Sequence, residues 1–217
     1  GEGDGQDGPF QKLWAGDSRS RWVSSLSVPV ENMSHKPTWL QPHGSPWAAG
    51  APRRLYANPW IALDEYDAVA PTGRKAVYGV VKFQNLALAV LPLHEDGTIT
   101  LVGQNRFPHR DYSWEIPEGG GPLGEDPLDG AKRELREEVG LAAAAWRQVL
   151  TAQLSNSVTD ERAVGFLAMD LTPVATDPDE TEDLAVVRAP FAEALNAALA
   201  GHILDMLTVA MLLRVYH

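Results

Sequence analysis

Residues 119–141 read GGGPLGEDPLDGAKRELREEVGL and contain the strongest structural signal in the chain. Their second half predicts a helix that begins after Asp126, a good N-cap, with Pro127 at the first helical position, where its missing N–H costs nothing. Gly140 suits the left-handed residue that ends a helix. Apolar residues recur at helical spacing and form the buried stripe of this helix: Leu128, Ala131, Leu135 and Val139.

The opposite face of the predicted helix carries three glutamates. Glu134, Glu137 and Glu138 stand at i, i+3 and i+4, a spacing at which like charges destabilise a helix. A hard cation on the cluster would relieve this repulsion, and Mg²⁺ prefers oxygen ligands while keeping water or phosphate oxygens in its shell. Arg133 is the i, i+4 partner of Glu137 and can hold that carboxylate in place. Taken alone, the cluster is also compatible with a solvated helix face.

The whole segment is similar to the Nudix box at every fixed position. Gly119 is followed after five residues by Glu125, and after seven more by the run RELREEVGL at 133–141. A chance match at one start position is on the order of 10⁻¹⁰. The resemblance implies an α/β protein with the Nudix fold, a mixed β-sheet sandwiched between helices, and hydrolysis of a nucleoside diphosphate linked to another moiety.

The resemblance also implies a metal site in this segment, called the box segment below. Glu134 and Glu138 match the family's metal ligands, and the backbone carbonyl of Glu118 matches a further ligand. Glu137 assists them, and Arg133 matches the orienting arginine. The expected cofactor is Mg²⁺, with Mn²⁺ as a substitute.

Sequences outside the box segment look like the ADP-ribose and nucleoside-diphosphate-sugar pyrophosphatase branch of the family. They are NPW at 58–60, QNRF at 104–107, WEIP at 114–117 and GHILDMLT at 201–208. In that branch Arg106 would contact phosphate and Glu115 would lie near the metals. Trp60 is a candidate contact of the nucleobase, with a position in the core as the alternative. Enzymes of this branch are commonly homodimers, so we expect a homodimer.

The branch takes its catalytic base from an acidic loop downstream of the box. The run DETED at 179–183 matches that loop, and Glu180 is the first candidate, with Glu182 second. A solvated acidic loop is the alternative for either residue. One element departs from the pattern: residues 155–161 read SNSVTDE and lack the Pro and Gly of the usual Ser-Pro-Gly element. This departure leaves nucleotide sugars other than ADP-ribose open.

The residue pattern outside these motifs predicts how the rest of the chain is organised. Residues 1–52 mix Gly, Ser, Pro and acidic residues without a sustained period, so we expect a partly disordered N-terminal extension. The Nudix hydrolase domain is expected at 53–217. Strands are predicted at 75–83, 86–93 and 98–103, the last two as a hairpin, and closing helices are predicted at 190–199 and 204–216.

Composition excludes several classes of protein. A net charge of −11 disfavours binding to nucleic acid. The sequence contains no run of about 18 apolar residues, so we expect no membrane span. Cys is absent, which excludes disulfides and thiolate metal sites, and we expect a cytoplasmic protein that acts on a small nucleotide. Two alternatives stay open: hydrolysis of nucleoside triphosphates or dinucleoside polyphosphates, and a non-catalytic ligand-binding module.

Overall fold

The computed structural model describes residues 36–176 and 183–217 of the chain. Residues Gln41–Tyr216 form one compact unit, while residues up to Leu40 and the terminal His217 fall outside it. Most of the predicted extension 1–52 lies outside the described residues, so its disorder and the domain boundary at residue 53 stay predictions. No helix among the described residues is long and apolar enough to cross a membrane.

The first part of the compact unit is an antiparallel sheet, called the N-terminal sheet. Its four strands are β1 (Ala48–Ala49), β2 (Arg53–Ala57), β3 (Ile61–Val69) and β4 (Lys75–Phe83). The central strand is β3, which pairs with β4 along one edge and with β1 and β2 along the other. Strand β4 has the bounds that the sequence predicts.

The second sheet is mixed and forms the centre of the fold. Its strands are β5 (Asn85–Pro92), β8 (Glu118–Pro122), β9 (Leu141–Gln153) and β10 (Arg162–Pro173). Their order is β8-β5-β10-β9, in which β5 and β10 run parallel and the other pairs are antiparallel. The parallel pair requires a long connection between its strands, and the box segment forms part of that connection.

A third, antiparallel sheet consists of β6 (Thr98–Arg106), β7 (Asp111–Glu115) and β11 (Ala185–Pro190), in the order β11-β6-β7. The predicted hairpin of 86–93 with 98–103 is therefore wrong. The turn between these strands does form, since the N–H of His94 donates to the carbonyl of Thr98 at 2.9 Å. Beyond one bridge between Leu93 and Ile99 the two strands diverge, because each is buried in a different sheet.

Among the described residues, three helices complete the unit: α1 (Pro127–Val139), α2 (Phe191–Leu199) and α3 (Met206–Tyr216). The ends of α1 are those predicted. The Asp126 carboxylate accepts a hydrogen bond from the N–H of Leu128, and Gly140 adopts φ 62° while its N–H donates to the carbonyl of Arg136. Helices α2 and α3 begin one and two residues later than predicted.

The central sheet lies between α1 and α3. On one face, Ala131 and Leu135 of α1 pack with Val90, Phe166 and Ala168 of the sheet. The other face approaches α3 so closely at Gly165 that a Cβ atom there would lie 2.3 Å from the sulfur of Met211. The predicted architecture, a mixed sheet sandwiched between helices, is confirmed.

Candidate active site

A cleft of about 1170 Å³ opens beside the N-terminal end of β8. Its walls come from the β6–β7 hairpin, the start of β8, the β9–β10 turn and the segment that leads into α3. Six charged side chains among the described residues line it: Arg106, Asp111, Glu115, Glu118, Glu161 and Asp205. The cleft therefore brings together residues that are up to 99 positions apart in the sequence.

The box helix turns two of its glutamates toward β8. Glu134 and Glu138 are 8% and 5% exposed, although carboxylates are rarely buried unless something compensates their charge. The N–H of Glu118 donates to Oε2 of Glu138 at 3.2 Å. At Gly119, a Cβ atom would lie 2.3 Å from Cδ of Glu134, so only glycine lets the strand approach this carboxylate. The two glutamates and the start of β8 form one compact group of oxygen donors.

Arg133 holds this group from the side of the helix. Its Nη1 lies 2.8 Å from Oε1 of Glu134 and 2.9 Å from Oε2 of Glu137, the contact that the i, i+4 spacing predicts. Its Nη2 donates to the carbonyl of Gly120 at 2.9 Å. Burial lowers the pKa of Arg133, but the two glutamates outweigh that effect and raise it, so the guanidinium stays charged.

The oxygen donors near β8 fit a hard divalent cation. Two carboxylates one helical turn apart and a nearby backbone carbonyl offer the ligand type that Mg²⁺ and Mn²⁺ prefer. The carboxylate of Glu134 occupies the space that a side chain at position 119 would fill, so it lies directly against the start of β8. Histidine and cysteine ligands, which would favour zinc, are absent from this group.

A second group of charges surrounds Arg106 on the wall of the cleft. Its Nε donates to both carboxylate oxygens of Glu115 at 3.0 and 3.1 Å, and its Nη2 donates to Oε1 of Glu118 at 2.8 Å. Gln104 also donates to Glu115, at 3.3 Å. Carboxylate oxygens of Glu115, Glu118 and Asp205 all lie within 4.8 Å of one another. Burial, followed by the charges of Asp205 and Glu115, raises the pKa of Glu118 well above its usual range.

The predicted site residues are only partly gathered in this cleft. Arg106, Glu115 and Glu118 line it, and Glu134, Glu137, Glu138 and Arg133 lie together at the neighbouring end of the box helix. Trp60 is 67% exposed in the turn between β2 and β3, so the alternative of a core position is wrong. Trp60 is not among the described residues that line the cleft. The two candidate bases, Glu180 and Glu182, lie outside the described residues.

Sequence reasoning gave no role to Asp205 or to the side chain of Glu118. Asp205 caps α3, where the N–H of Thr208 donates to its Oδ2 at 2.6 Å. The hydroxyl of Thr208 in turn accepts the N–H of Ile116 at 3.0 Å and so ties α3 to the segment before the box. An aspartate just before a helical pattern is a capping signal that could have marked this position. Its place beside Glu118 depends on the tertiary fold.

The turn that departs from the Ser-Pro-Gly element is compact without proline or glycine. Ser155 adopts φ 46°, a left-handed conformation that is uncommon for serine. Asp160 fixes the end of the turn, because its Oδ1 accepts the N–H of Phe83 at 2.9 Å and its Oδ2 pairs with Lys82 at 3.0 Å. Glu161 follows on the cleft wall, and burial raises its pKa.

Several known proteins resemble this chain in sequence or in fold. Residues 83–207 match the NUDIX domain family. The chain is 33% identical over 133 residues to the ADP-ribose pyrophosphatase of Mycobacterium tuberculosis, which covers 60% of this chain and 64% of that protein's length. It is 30% identical over 160 residues to the ADP-ribose pyrophosphatase of Bacillus subtilis, covering 73% of this chain and 86% of that protein.

The fold itself matches a solved crystal structure of an ADP compounds hydrolase with a TM-score of 0.73. That match covers 81% of this chain and 95% of the other at 21% sequence identity. The family match extends over more than half of the chain and includes the whole box segment with its carboxylates. The chain therefore belongs to the NUDIX domain family.

Proposed function

We propose that this chain hydrolyses the diphosphate bond of ADP-ribose or a related nucleoside diphosphate sugar, with Mg²⁺, to a nucleoside monophosphate and a sugar phosphate. One observation carries the proposal: the buried carboxylates of Glu134 and Glu138 meet the start of β8, at Gly119 and Glu118 respectively, beside an open cleft. The choice of substrate is supported by two relatives that are named ADP-ribose pyrophosphatases.

Mg²⁺ would be held by Glu134, Glu138 and the backbone carbonyl of Glu118. When bound, the cation supplies charge neutralisation of the diphosphate and a lower pKa for an attacking water. The hydrogen bond from the N–H of Glu118 to Glu138 fixes the peptide next to that carbonyl. Mn²⁺ would serve as a substitute because it accepts the same oxygen ligands.

The other residues of the site have positioning and binding roles in this proposal. Arg133 keeps Glu134 and Glu137 oriented through its two ion pairs. Arg106 lines the cleft with 37% of its side chain exposed, which suits contact with a phosphate oxygen, and Glu115 holds it there. Glu180, or else Glu182, would accept the proton of the attacking water.

Assembly as a homodimer and a cytoplasmic location belong to the same proposal. Support for the dimer comes from large apolar side chains exposed on the N-terminal sheet and its turn, which a second chain could cover. These side chains are Leu55, Tyr56, Trp60 and Val77. Size-exclusion chromatography with light scattering would measure the mass of the protein in solution. Twice the mass of one chain would support the dimer, and the mass of one chain would contradict it.

A substrate panel tests the proposed reaction. The protein is incubated with Mg²⁺ and, separately, ADP-ribose, GDP-mannose, UDP-glucose, a dinucleoside polyphosphate and the nucleoside triphosphates, and products are separated by chromatography. We expect AMP and ribose 5-phosphate from ADP-ribose, or the matching pair from one nucleotide sugar, and no product when EDTA is present. Turnover of triphosphates or dinucleoside polyphosphates alone would overturn the substrate class. No turnover with Mg²⁺ or Mn²⁺ would favour a binding module.

A further inference from the structure

Three carboxylates outside the box helix converge on one point of the cleft wall. Glu115 ends β7, Glu118 begins β8 and Asp205 caps α3. Each offers one oxygen, and these three oxygens lie within 4.8 Å of one another. These three side chains are separate from the proposed Mg²⁺ ligands, which are the carboxylates of Glu134 and Glu138 and the backbone carbonyl of Glu118.

A buried oxygen in this cluster has no partner. Oε2 of Glu118 has less than 1 Å² of accessible surface and accepts no hydrogen bond, while Oε1 of the same carboxylate accepts from Arg106. The Glu118 side chain as a whole is only 12% exposed. Buried polar atoms are almost always paired, and an exception is commonly explained by a bound water or ion.

The charges of the cluster do not balance. When all three carboxylates are ionised, as cation binding requires, Arg106 offsets only one of their three negative charges. The known hydrogen bonds to Glu115 and Asp205 do not exhaust these carboxylates, since each ionised carboxylate offers about four lone-pair sites. The acceptor sites that remain are all carboxylate oxygens, which are the ligands that a hard divalent cation prefers.

We propose that Glu115, Glu118 and Asp205 form a second divalent-cation site, separate from the one on the box helix. The orphaned oxygen of Glu118 would be its central ligand, and the cleft gives the ion a path from solvent. The site lies on the same cleft wall as Arg106. It does not rest on the proposed hydrolysis, because the cation is bound by groups that are present without substrate.

Mn²⁺ binding in a variant that lacks the box ligands tests this site. The double variant Glu134→Gln with Glu138→Gln is titrated with Mn²⁺, and the free ion is followed by electron paramagnetic resonance. We expect one Mn²⁺ per chain to remain bound. Adding Glu118→Gln should weaken that binding about tenfold or more, as loss of a ligand requires. Adding Asp205→Asn, which keeps the helix cap, should weaken it as well.

Glu161→Gln in the same background is the matched control, because Glu161 lines the same cleft outside the cluster. It should leave the Mn²⁺ affinity unchanged. The proposal is overturned if the double variant binds no Mn²⁺, if Glu118→Gln leaves the affinity as it was, or if Glu161→Gln lowers it equally. Since no substrate is present, absence of turnover on the panel would count against the proposed function and leave this result unaffected.

Discussion

Arg133 joins the box helix to strand β8 through a 2.9 Å hydrogen bond from its Nη2 to the carbonyl oxygen of Gly120. The same guanidinium pairs with Glu134 and Glu137, so three groups are fixed by one planar cation. Lysine keeps the charge but cannot reproduce this fork of donors. The position of the carboxylates beside β8 therefore depends on arginine itself.

We expect Arg133→Lys to lower kcat/KM about 10- to 100-fold, because misplaced ligands lose much of their effect. Steady-state kinetics on the best substrate of the panel would measure this, with circular dichroism to check the fold. Arg136→Lys is the control, since Arg136 is exposed on the same helix. An equal loss in both variants would contradict the positioning role.

Gly119→Ala tests the close approach of β8 to the box helix. The new Cβ would lie 2.3 Å from Cδ of Glu134, and the flexible end of that side chain would have to move. The fold should survive, whereas turnover should fall about tenfold or more. Gly120→Ala is the matched control, because its Cβ would contact only the side chain of Asn85, whose nearest atom, Nδ2, lies at 3.3 Å. Similar turnover in the two variants would refute the importance of this contact.

The buried hydroxyl of Thr208 stabilises the segment before the box. It accepts the N–H of Ile116 at 3.0 Å, and both residues are fully buried. Thr208→Val keeps the shape but leaves that N–H without a partner, which costs about 1–3 kcal/mol. Urea denaturation should show this loss in the free energy of unfolding. Thr208→Ser retains the hydroxyl and should lose less, so an equal loss would assign the effect to packing.

The pair between Asp160 and Lys82 should make stability depend on pH. Burial raises the pKa of Asp160, but the N–H of Phe83 and the Lys82 ammonium outweigh it and hold the pKa below its usual value. The ionised carboxylate therefore stabilises the fold above about pH 3.9, its unfolded pKa, and this contribution is lost as pH falls through the folded pKa.

Asp160→Asn should therefore reduce the free energy of unfolding at pH 7, by less than about 1 kcal/mol because the pair is partly exposed. The difference between the variant and the unchanged protein should shrink as pH falls below about 4. Urea denaturation at pH 7, 5 and 3.5 measures it. A difference that stays constant over this range would show that the charge of Asp160 is not its source.

Local signals explain which parts of the fold the sequence could predict. The box helix has its predicted ends because the capping roles of Asp126 and Gly140 depend only on hydrogen bonds within the adjacent helical turn. Strand pairing depends on distant partners instead. The sequence between β5 and β6 indicates a hairpin, yet β5 pairs with β10, more than 70 residues further on.

The site was predictable where the motif is local and not where the tertiary fold assembles it. The glycine-rich strand β8 contradicts strand propensity, and its glycines are required by the close contacts of Gly119 with Glu134 and of Gly121 with Leu88. Asp205 reaches Glu118 from a separate helix, a proximity that no sequence spacing contains. The roles of Glu180 and Glu182 remain predictions.

The turnover of ADP-ribose with Mg²⁺ by the unchanged protein and by Glu138→Gln tests the central claim most directly. The glutamine keeps the shape of Glu138 but removes a charged ligand, so the predicted result is AMP release by the unchanged protein and a rate lower by orders of magnitude in the variant, with the fold intact. Near-normal turnover in Glu138→Gln would contradict the assignment of the box carboxylates to the metal.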